Sequence, residues 1–216
     1  MRRYRLVLHA AALLAACCIC AHAAPILDPA KISDRTFENG FRVVVKDEDQ
    51  WGLAAAALYI RAGSAQEPED AAGVAHLLEH LLFEATDPRD DSRVGTAIES
   101  LGGYVNAMTT RDFTQIQVIV ASQYLPRAME LMAETVFEPG LTPAVVERER
   151  EIVARELADR LDSAAGSLDD LIWSNAFTDH PYGRPIGGTP EQVTLLGYDD
   201  LVSFHERYYV PANMAL

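Results

Sequence analysis

The segment "GVAHLLEHLLFEAT", residues 73–86, places three titratable side chains in an otherwise apolar run. At about 100° per residue, His76, Glu79 and His80 fall within an arc of about 100° on a helical wheel. Four leucines occupy the other side of the wheel, and residues 62–86 contain no Lys or Arg. The pattern therefore predicts a mostly buried helix that carries one narrow polar stripe.

Titratable groups are costly to bury unless they are paired or bind a metal ion. Residues i and i+4 lie above one another on a helix, so His76 and His80 can offer imidazole nitrogens to a single ion. Glu79 then lies beside that ion, where its carboxylate can take a proton from water. His-x-x-Glu-His is the inverted zincin motif, and a catalytic zinc needs a third protein ligand. The alternative is a pair of ordinary core histidines.

A second helix is predicted at "VVEREREIVAREL", residues 145–157, which contains no Gly or Pro. Glu149 and Glu156 are seven residues apart, which is two turns, and so share one face. Taken alone, the segment favours a charged, solvated helix with i,i+4 pairs such as Glu151 with Arg155.

Six segments in collinear order resemble the pitrilysin-like (insulinase-type) zinc metallopeptidases. They are "NGFRVVVKDED", "RAGSAQEPEDAAGVAHLLEHLLF", "LGGYVNAMTTRDFT", the glutamate-rich run described above, "HPYGRPIGGTPEQV" and "YYVPANMAL". The resemblance covers roughly residues 36–216. It implies that His76, His80 and Glu156 are zinc ligands and that Glu79 is the general base. It also implies that Glu149 is a carboxylate that does not bind the zinc itself but interacts with the residues that do.

The resemblance further implies how a peptide binds. The strand predicted at 114–121 becomes the sheet edge on which the substrate lies, and Asn106 and Ala107 contact it. The local alternative for Asn106 is a turn asparagine. A second homologous half or subunit is expected to close the site. The chain departs from the family pattern at Glu84-Ala85 and at Ile116-Gln117, which affects the expected subsite preference.

Hydrophobic periodicity predicts the remaining architecture. The predicted strands are 41–46, 53–61 and 114–121, and the predicted helices are 71–83, 94–101, 125–137, 143–161, 168–177 and 199–208. Residues 213–216 resemble the start of a further apolar strand. This order favours an α+β fold, with helices packed on one face of a mixed, mostly antiparallel sheet whose last strand is truncated.

Residues 1–23 have a basic start, an apolar middle and an Ala-x-Ala ending. This pattern predicts a secretory signal peptide and a periplasmic destination. A transmembrane anchor is the weaker alternative, because His9 interrupts a short apolar run. A lipoprotein anchored through Cys17 is a further alternative.

The expected mature chain, residues 24–216, is one metallopeptidase domain with its core at 36–216. All three cysteines lie in the leader, so this domain has no disulfide framework and no thiol ligand. The net charge of −14 argues against nucleic acid as a partner. The isolated His180 is expected to be structural.

Together these features predict a zinc endopeptidase that cleaves extended peptides in the bacterial cell envelope. One alternative is a catalytically silent or weakly active partner subunit of a two-component peptidase. Another is a structural zinc module, which would require a fourth protein ligand.

Overall fold

The computed structural model describes residues 28–48, 51–83 and 94–216. These residues divide into two units, of which the smaller contains 28–33 and 45–48. In that unit the Asp28 carboxylate accepts a hydrogen bond from the Ala30 N–H at 3.0 Å and caps a short 3-10 turn. The predicted signal peptide at 1–23 and the Glu84-Ala85 pair lie outside the described residues.

Six strands and seven α-helices occur in the described part of the chain. The strands are β1 (Ile32–Thr36), β2 (Arg42–Lys46), β3 (Leu53–Ile60), β4 (Tyr104–Thr109), β5 (Thr114–Ala121) and β6 (Met214–Ala215). The helices are α1 (Val74–Phe83), α2 (Val94–Ser100), α3 (Leu125–Phe137), α4 (Pro143–Asp162), α5 (Ala164–Ala176), α6 (Pro190–Leu195) and α7 (Tyr198–Tyr208).

The larger unit contains a sheet with the strand order β1-β2-β6-β3-β5-β4. Strand β1 contributes residues 34–36 to this unit, and β2 contributes residues 42–44. Strand β5 lies in its interior and pairs antiparallel with both β3 and β4. Strand β6 is antiparallel to β3 but parallel to β2. The sheet is therefore mixed and mostly antiparallel, as predicted.

The core lies on the helix-covered face of this sheet. Side chains along β5 alternate between buried and partly buried, as expected for a strand with one covered face. Its buried residues pack with those of α1, α3 and α4 in one hydrophobic cluster. The large side chains Tyr59, Tyr104 and Met108 are exposed. The predicted α+β arrangement, with helices on one face of the sheet, is confirmed.

Two predicted elements have the observed boundaries, β5 and α3. Helix α1 begins at Val74 rather than at residue 71, because the preceding 3-10 turn ends at Ala71, Ala72 is extended and Gly73 has a φ of +91°. Helix α5 begins four residues earlier than predicted, since the Ser163 hydroxyl accepts a hydrogen bond from the Gly166 N–H at 3.0 Å. Strands β1 and β4 and helix α6 were not predicted.

The prediction that Thr114–Ala121 forms the sheet edge is wrong. Strand β4 pairs along it from Tyr104, opposite Ile119, to Thr109, opposite Thr114. In the described sheet, β4 is one edge strand and β1 is the other. Hydrophobic periodicity predicts no strand directly before residue 114, because the exposed positions of β4 include the apolar side chains of Tyr104 and Met108.

No helix among the described residues has both the length and the apolarity needed to cross a bilayer.

Candidate metal centre

Helix α1 places the polar stripe as the sequence predicts. Leu77, Leu78 and Leu81 are fully buried, which anchors one face of the helix in the core. The opposite face carries His76 and His80, whose side chains are 16% and 25% exposed. Their rings lie edge to face, with centroids 4.8 Å apart. The i,i+4 spacing thus brings both imidazoles to one point at the border of the core.

Glu156 of α4 meets this histidine pair. Its carboxylate oxygens lie 3.8 Å from Nε2 of His76 and 3.2 Å from Nε2 of His80. One ring nitrogen from each histidine and one carboxylate oxygen of Glu156 all lie within 4.8 Å of one another. Ligand atoms at about 2.1 Å from a tetrahedral zinc are roughly 3.4 Å apart, so the donors are spaced to share one ion.

Helix α4 is amphipathic rather than solvated all round. Thr142 caps its start by accepting a hydrogen bond from the Val145 N–H at 3.3 Å. The buried residues Val146, Val153 and Leu157 form a stripe that packs into the core. Glu156 lies at the border of this stripe with its side chain 51% exposed. The interpretation of this segment as a solvated helix is therefore wrong for one of its faces.

Glu149 is buried, with 2% of its surface exposed. Its carboxylate accepts a hydrogen bond from Nε of Arg148 at 3.1 Å. Among the described residues, no hydrogen bond joins Glu149 to His76, His80 or Glu156. Its predicted role behind the ligands therefore remains a prediction.

Burial sets the electrostatics of the histidine pair. Desolvation and the neighbouring His80 lower the pKa of His76 to about 4, against the opposing effect of Glu156. His76 is therefore neutral at pH 7, which is the form of imidazole that binds metal ions. Two imidazoles and one carboxylate are a ligand set that zinc accepts, and they leave a fourth coordination position open.

Glu79 points from the same helix toward the edge strand. Its Oε2 accepts a hydrogen bond from the Thr109 hydroxyl at 2.5 Å. Burial raises the pKa of Glu79, while the hydrogen bond from Thr109 lowers it. Thr109 Oγ1 also lies 3.4 Å from Oγ1 of the buried Thr114, so β5 helps to fix the position of the Thr109 hydroxyl. Thr109 thus fixes the orientation of the carboxylate.

A cavity of about 250 Å³ joins these groups. His76, Glu79 and Glu156 line it, together with Ala107 and Thr109 of β4. Asn106 is exposed and does not line this cavity, whereas the next three residues of β4, Ala107, Met108 and Thr109, do. Of the two predicted substrate contacts, only Ala107 lies at the cavity wall.

Sequence reasoning missed several residues of this site. Thr109 belongs to the unpredicted strand. Arg160 and Asp170 line the cavity and are bridged by a hydrogen bond of 2.8 Å. Gly187 also lines it, and a Cβ there would lie 3.1 Å from Nδ1 of His76. The signal for Thr109 and Gly187 was present, because both fall in segments that carry the family resemblance.

The two isolated histidines have local roles. Nδ1 of His180 accepts the Tyr182 N–H at 3.1 Å and caps a 3-10 turn, in keeping with its predicted structural role. Nε2 of His205 lies 2.7 Å from the Val136 carbonyl oxygen. Within the described residues, His76, His80 and Glu156 form the one group of this kind that could hold a metal ion.

Comparisons with known proteins agree with this geometry. The family described as Insulinase (Peptidase family M16) matches residues 42–190. An uncharacterized zinc protease of Mycobacterium leprae (strain TN) is 36% identical over 181 residues, which cover 84% of this chain and 41% of the relative. The beta subunit of the mitochondrial-processing peptidase of Bos taurus is 33% identical, over 83% of this chain and 36% of the relative.

A solved structure shows the same fold. The crystal structure of a protease from Helicobacter pylori superimposes with a TM-score of 0.80 at 29% identity, over 86% of this chain and 45% of that chain. The chain spans less than half the length of the curated relatives described above. The family match covers most of the chain and contains strands β2 to β5, the inverted motif on α1 and helix α4. This chain belongs to the insulinase family of peptidases, family M16.

Proposed function

We propose that this chain carries the catalytic site of a zinc-dependent endopeptidase that hydrolyses extended peptides. The observation that carries the proposal is the cavity that Glu79 shares with His76 and Glu156, two members of the possible ligand group that His80 completes. When bound, zinc would polarise the carbonyl of the scissile bond and lower the pKa of a water molecule to about 7.

Glu79 is the proton carrier in this proposal. Its carboxylate accepts the proton of the attacking water and passes it to the leaving amine. Thr109 holds Oε2 at 2.5 Å, so the carboxylate presents one orientation to the cavity. His76 is neutral at pH 7, so it is available as a ligand and does not compete for that proton.

The direct test measures zinc content and peptide cleavage on the same preparation. Zinc together with cleavage supports the proposal, even where this chain alone cleaves slowly. Zinc without any cleavage, also after a second half is added, supports a silent partner subunit or a structural zinc module. Absence of zinc contradicts the proposal. A structural module is disfavoured by the group of three ligands, because among the described residues no fourth donor completes it.

We expect Thr109→Val to lower kcat by about 10- to 100-fold, since a hydrogen bond to a charged group contributes about 1.5–3 kcal/mol. Thr109→Ser keeps the hydroxyl and should retain most of the activity. Zinc content should equal that of wild type in both variants. Equal kcat values for Thr109→Val and wild type would show that the hydroxyl does not orient the base.

The edge strand is the proposed binding surface for the peptide. Strand β4 pairs with β5 on one side, and its other side borders the cavity through Ala107 and Thr109. An extended peptide can add to such an edge through main-chain hydrogen bonds. This arrangement would place the scissile bond beside Glu79.

Asn106 lies outside the cavity but on the edge strand β4, where a peptide paired with that strand would pass its exposed side chain. We expect Asn106→Ala to lower kcat/KM by about 10- to 1000-fold, the range for loss of one substrate hydrogen bond up to an oxyanion donor. The matched control is Gln117→Ala, which removes the cross-strand neighbour of Asn106 on β5. That variant should retain wild-type kinetics, and both should bind zinc. Unaltered kinetics in Asn106→Ala would return this residue to a local, structural role.

A second homologous half or subunit is proposed to cover the site. The Glu156 side chain is half exposed, so water reaches the ligands in this chain. The bovine relative is named as a subunit, and the Mycobacterium relative is more than twice as long as the matched region. A covering partner would exclude water and fix the orientation of the peptide.

We expect the 216-residue chain alone to bind zinc but to cleave a quenched peptide poorly. Adding the second half, in cis or as a separate subunit, should raise kcat/KM by at least about tenfold through positioning of the substrate. Zinc content serves as the control and should be the same in both preparations. Equal activity would show that the site needs no cover.

We further propose that the protein acts in the bacterial cell envelope, on the evidence of the signal-like residues 1–23. Cell fractionation tests this location. Recovery in the membrane fraction with a lipid on Cys17 would favour the lipoprotein alternative, and recovery in the cytoplasm would contradict both.

A further inference from the structure

Glu67 is one of the few charged side chains in the core, with 5% of its surface exposed. It follows the 3-10 turn Ser64–Gln66 and precedes the zinc-helix candidate α1. Burial raises the pKa of Glu67 to about 8, whereas two backbone N–H groups and the Arg184 guanidinium lower it. A carboxyl group kept in such a place needs specific partners.

Both carboxylate oxygens of Glu67 bind the start of helix α1. Oε2 accepts the Gly73 N–H at 2.9 Å, and Oε1 accepts the Ala75 N–H at 3.0 Å. N–H groups at the start of a helix have no acceptor within it. The first intrahelical bond runs from the Leu77 N–H to the Gly73 carbonyl, so Gly73 is the residue at which a capping side chain would normally stand.

Gly73 cannot be replaced by a capping residue. Its φ is +91°, and a Cβ at this position would lie 2.4 Å from the Gly187 carbonyl oxygen. Serine, threonine, aspartate and asparagine are all excluded by this contact. The cap must therefore come from elsewhere in the chain, and Glu67 provides it from six residues away.

The same end of the helix carries the first histidine of the site. Nε2 of His76 faces Glu156. Nδ1 of His76 is buried and has no hydrogen-bond partner in the described part of the chain. Metal-binding histidines usually donate this second N–H to a carboxylate or a carbonyl, which fixes the ring. His76 lacks that support, so its position depends on the backbone that carries it.

Arg184 joins this cap to the cavity wall. Its Nη2 donates to the carbonyl oxygens of Ser64 at 3.3 Å and Glu67 at 3.2 Å. Three residues later, Gly187 lies against His76 and lines the cavity. Hydrogen bonds from Arg184 thus connect the segment before α1, which contains Glu67, to the segment that packs against His76, which contains Gly187.

We propose that Glu67 is a positioning residue for the metal centre, which sets the rotation of helix α1 through the Gly73 and Ala75 N–H groups. It touches neither substrate nor metal, and it acts through the backbone of the helix on His76. The inference rests on the proposed zinc site. It predicts that loss of the two-pronged cap changes the ligand geometry before it changes the fold.

The test compares Glu67→Gln with wild type in the full chain at about pH 8.5, above the pKa of Glu67 of about 8. The glutamine oxygen can still accept one of the two backbone N–H groups. Its NH2 group is a donor and cannot accept the other, so one of the two hydrogen bonds is lost. We expect zinc affinity, measured by chelator competition, to fall by about 10- to 100-fold, the scale for loss of a group that orients a ligand. The visible absorption of the cobalt-substituted protein should change as well.

Two further variants make the result decisive. Glu69→Gln changes an exposed glutamate in the same loop, and it should leave zinc affinity and the cobalt spectrum unaltered. Glu67→Asp keeps the charge but shortens the reach, so its spectrum and affinity should fall between those of wild type and Glu67→Gln.

Folded Glu67→Gln with a wild-type cobalt spectrum and zinc affinity would overturn the inference alone. Failure of both Glu67 variants to fold would assign the residue to the fold as a whole and would also overturn it. A wild-type chain that binds neither metal would contradict the proposed function and the inference together.

Discussion

Glu79→Gln should keep zinc bound and lose peptide hydrolysis. The amide has nearly the same shape but cannot accept the proton of the attacking water. A positioned general base contributes about 10²- to 10⁴-fold, so kcat should fall by that amount. His76, His80 and Glu156 are untouched by the change, and zinc content measured by atomic absorption should match that of wild type.

Glu99→Gln is the control, because Glu99 is exposed on α2 and the substitution is the same. It should leave both zinc and turnover unaltered. Near-full turnover in Glu79→Gln would contradict the assignment of the base. Loss of zinc in this variant would instead make Glu79 part of the metal-binding group.

His80→Ala and Glu156→Ala should each lose zinc and activity together. Each variant leaves only two protein ligands, which hold the ion poorly. Loss of a residue that merely orients a ligand already lowers metal affinity by about 10- to 100-fold, so loss of a ligand itself should cost more. We therefore expect zinc affinity to fall by more than about 100-fold in each variant. Chelator competition measures the affinity, and the quenched-peptide assay measures the activity.

The control for this pair is Glu151→Ala, which removes an exposed carboxylate from the helix that also carries Glu156. Zinc affinity and turnover should not change. Full zinc occupancy in Glu156→Ala would move the third ligand to another residue. In that case Glu149, two turns before it on α4, would be the next residue to substitute.

Local patterns in the sequence predicted the elements that carry the site. The inverted motif predicts α1 and the meeting of His76 with His80, because i and i+4 are adjacent on any helix. The alternation in residues 114–121 predicts β5, and the absence of Gly and Pro predicts α4. These predictions hold because each depends on contacts within one or two turns of the chain.

The third ligand was predicted from family resemblance and not from spacing. Glu149 and Glu156 share a face of α4, so periodicity alone treats them alike. In the structure, Glu156 lies within 3.2 Å of the His80 ring nitrogen, while Glu149 is buried and bound to Arg148. The difference arises from where α4 crosses α1, which is a matter of packing between residues about 80 positions apart.

Only the tertiary structure revealed the partners of the motif. Thr109 reaches Glu79 because β4 pairs with β5 in a register that brings Thr109 opposite Thr114. Glu67 reaches the start of α1 because Gly73 is pressed against Gly187 and leaves no room for a local cap. The sequence by itself determined which helix carries the histidines and the base, since helical spacing is a local property. Sheet register and helix packing decided what surrounds them, because those contacts join segments that no local pattern relates.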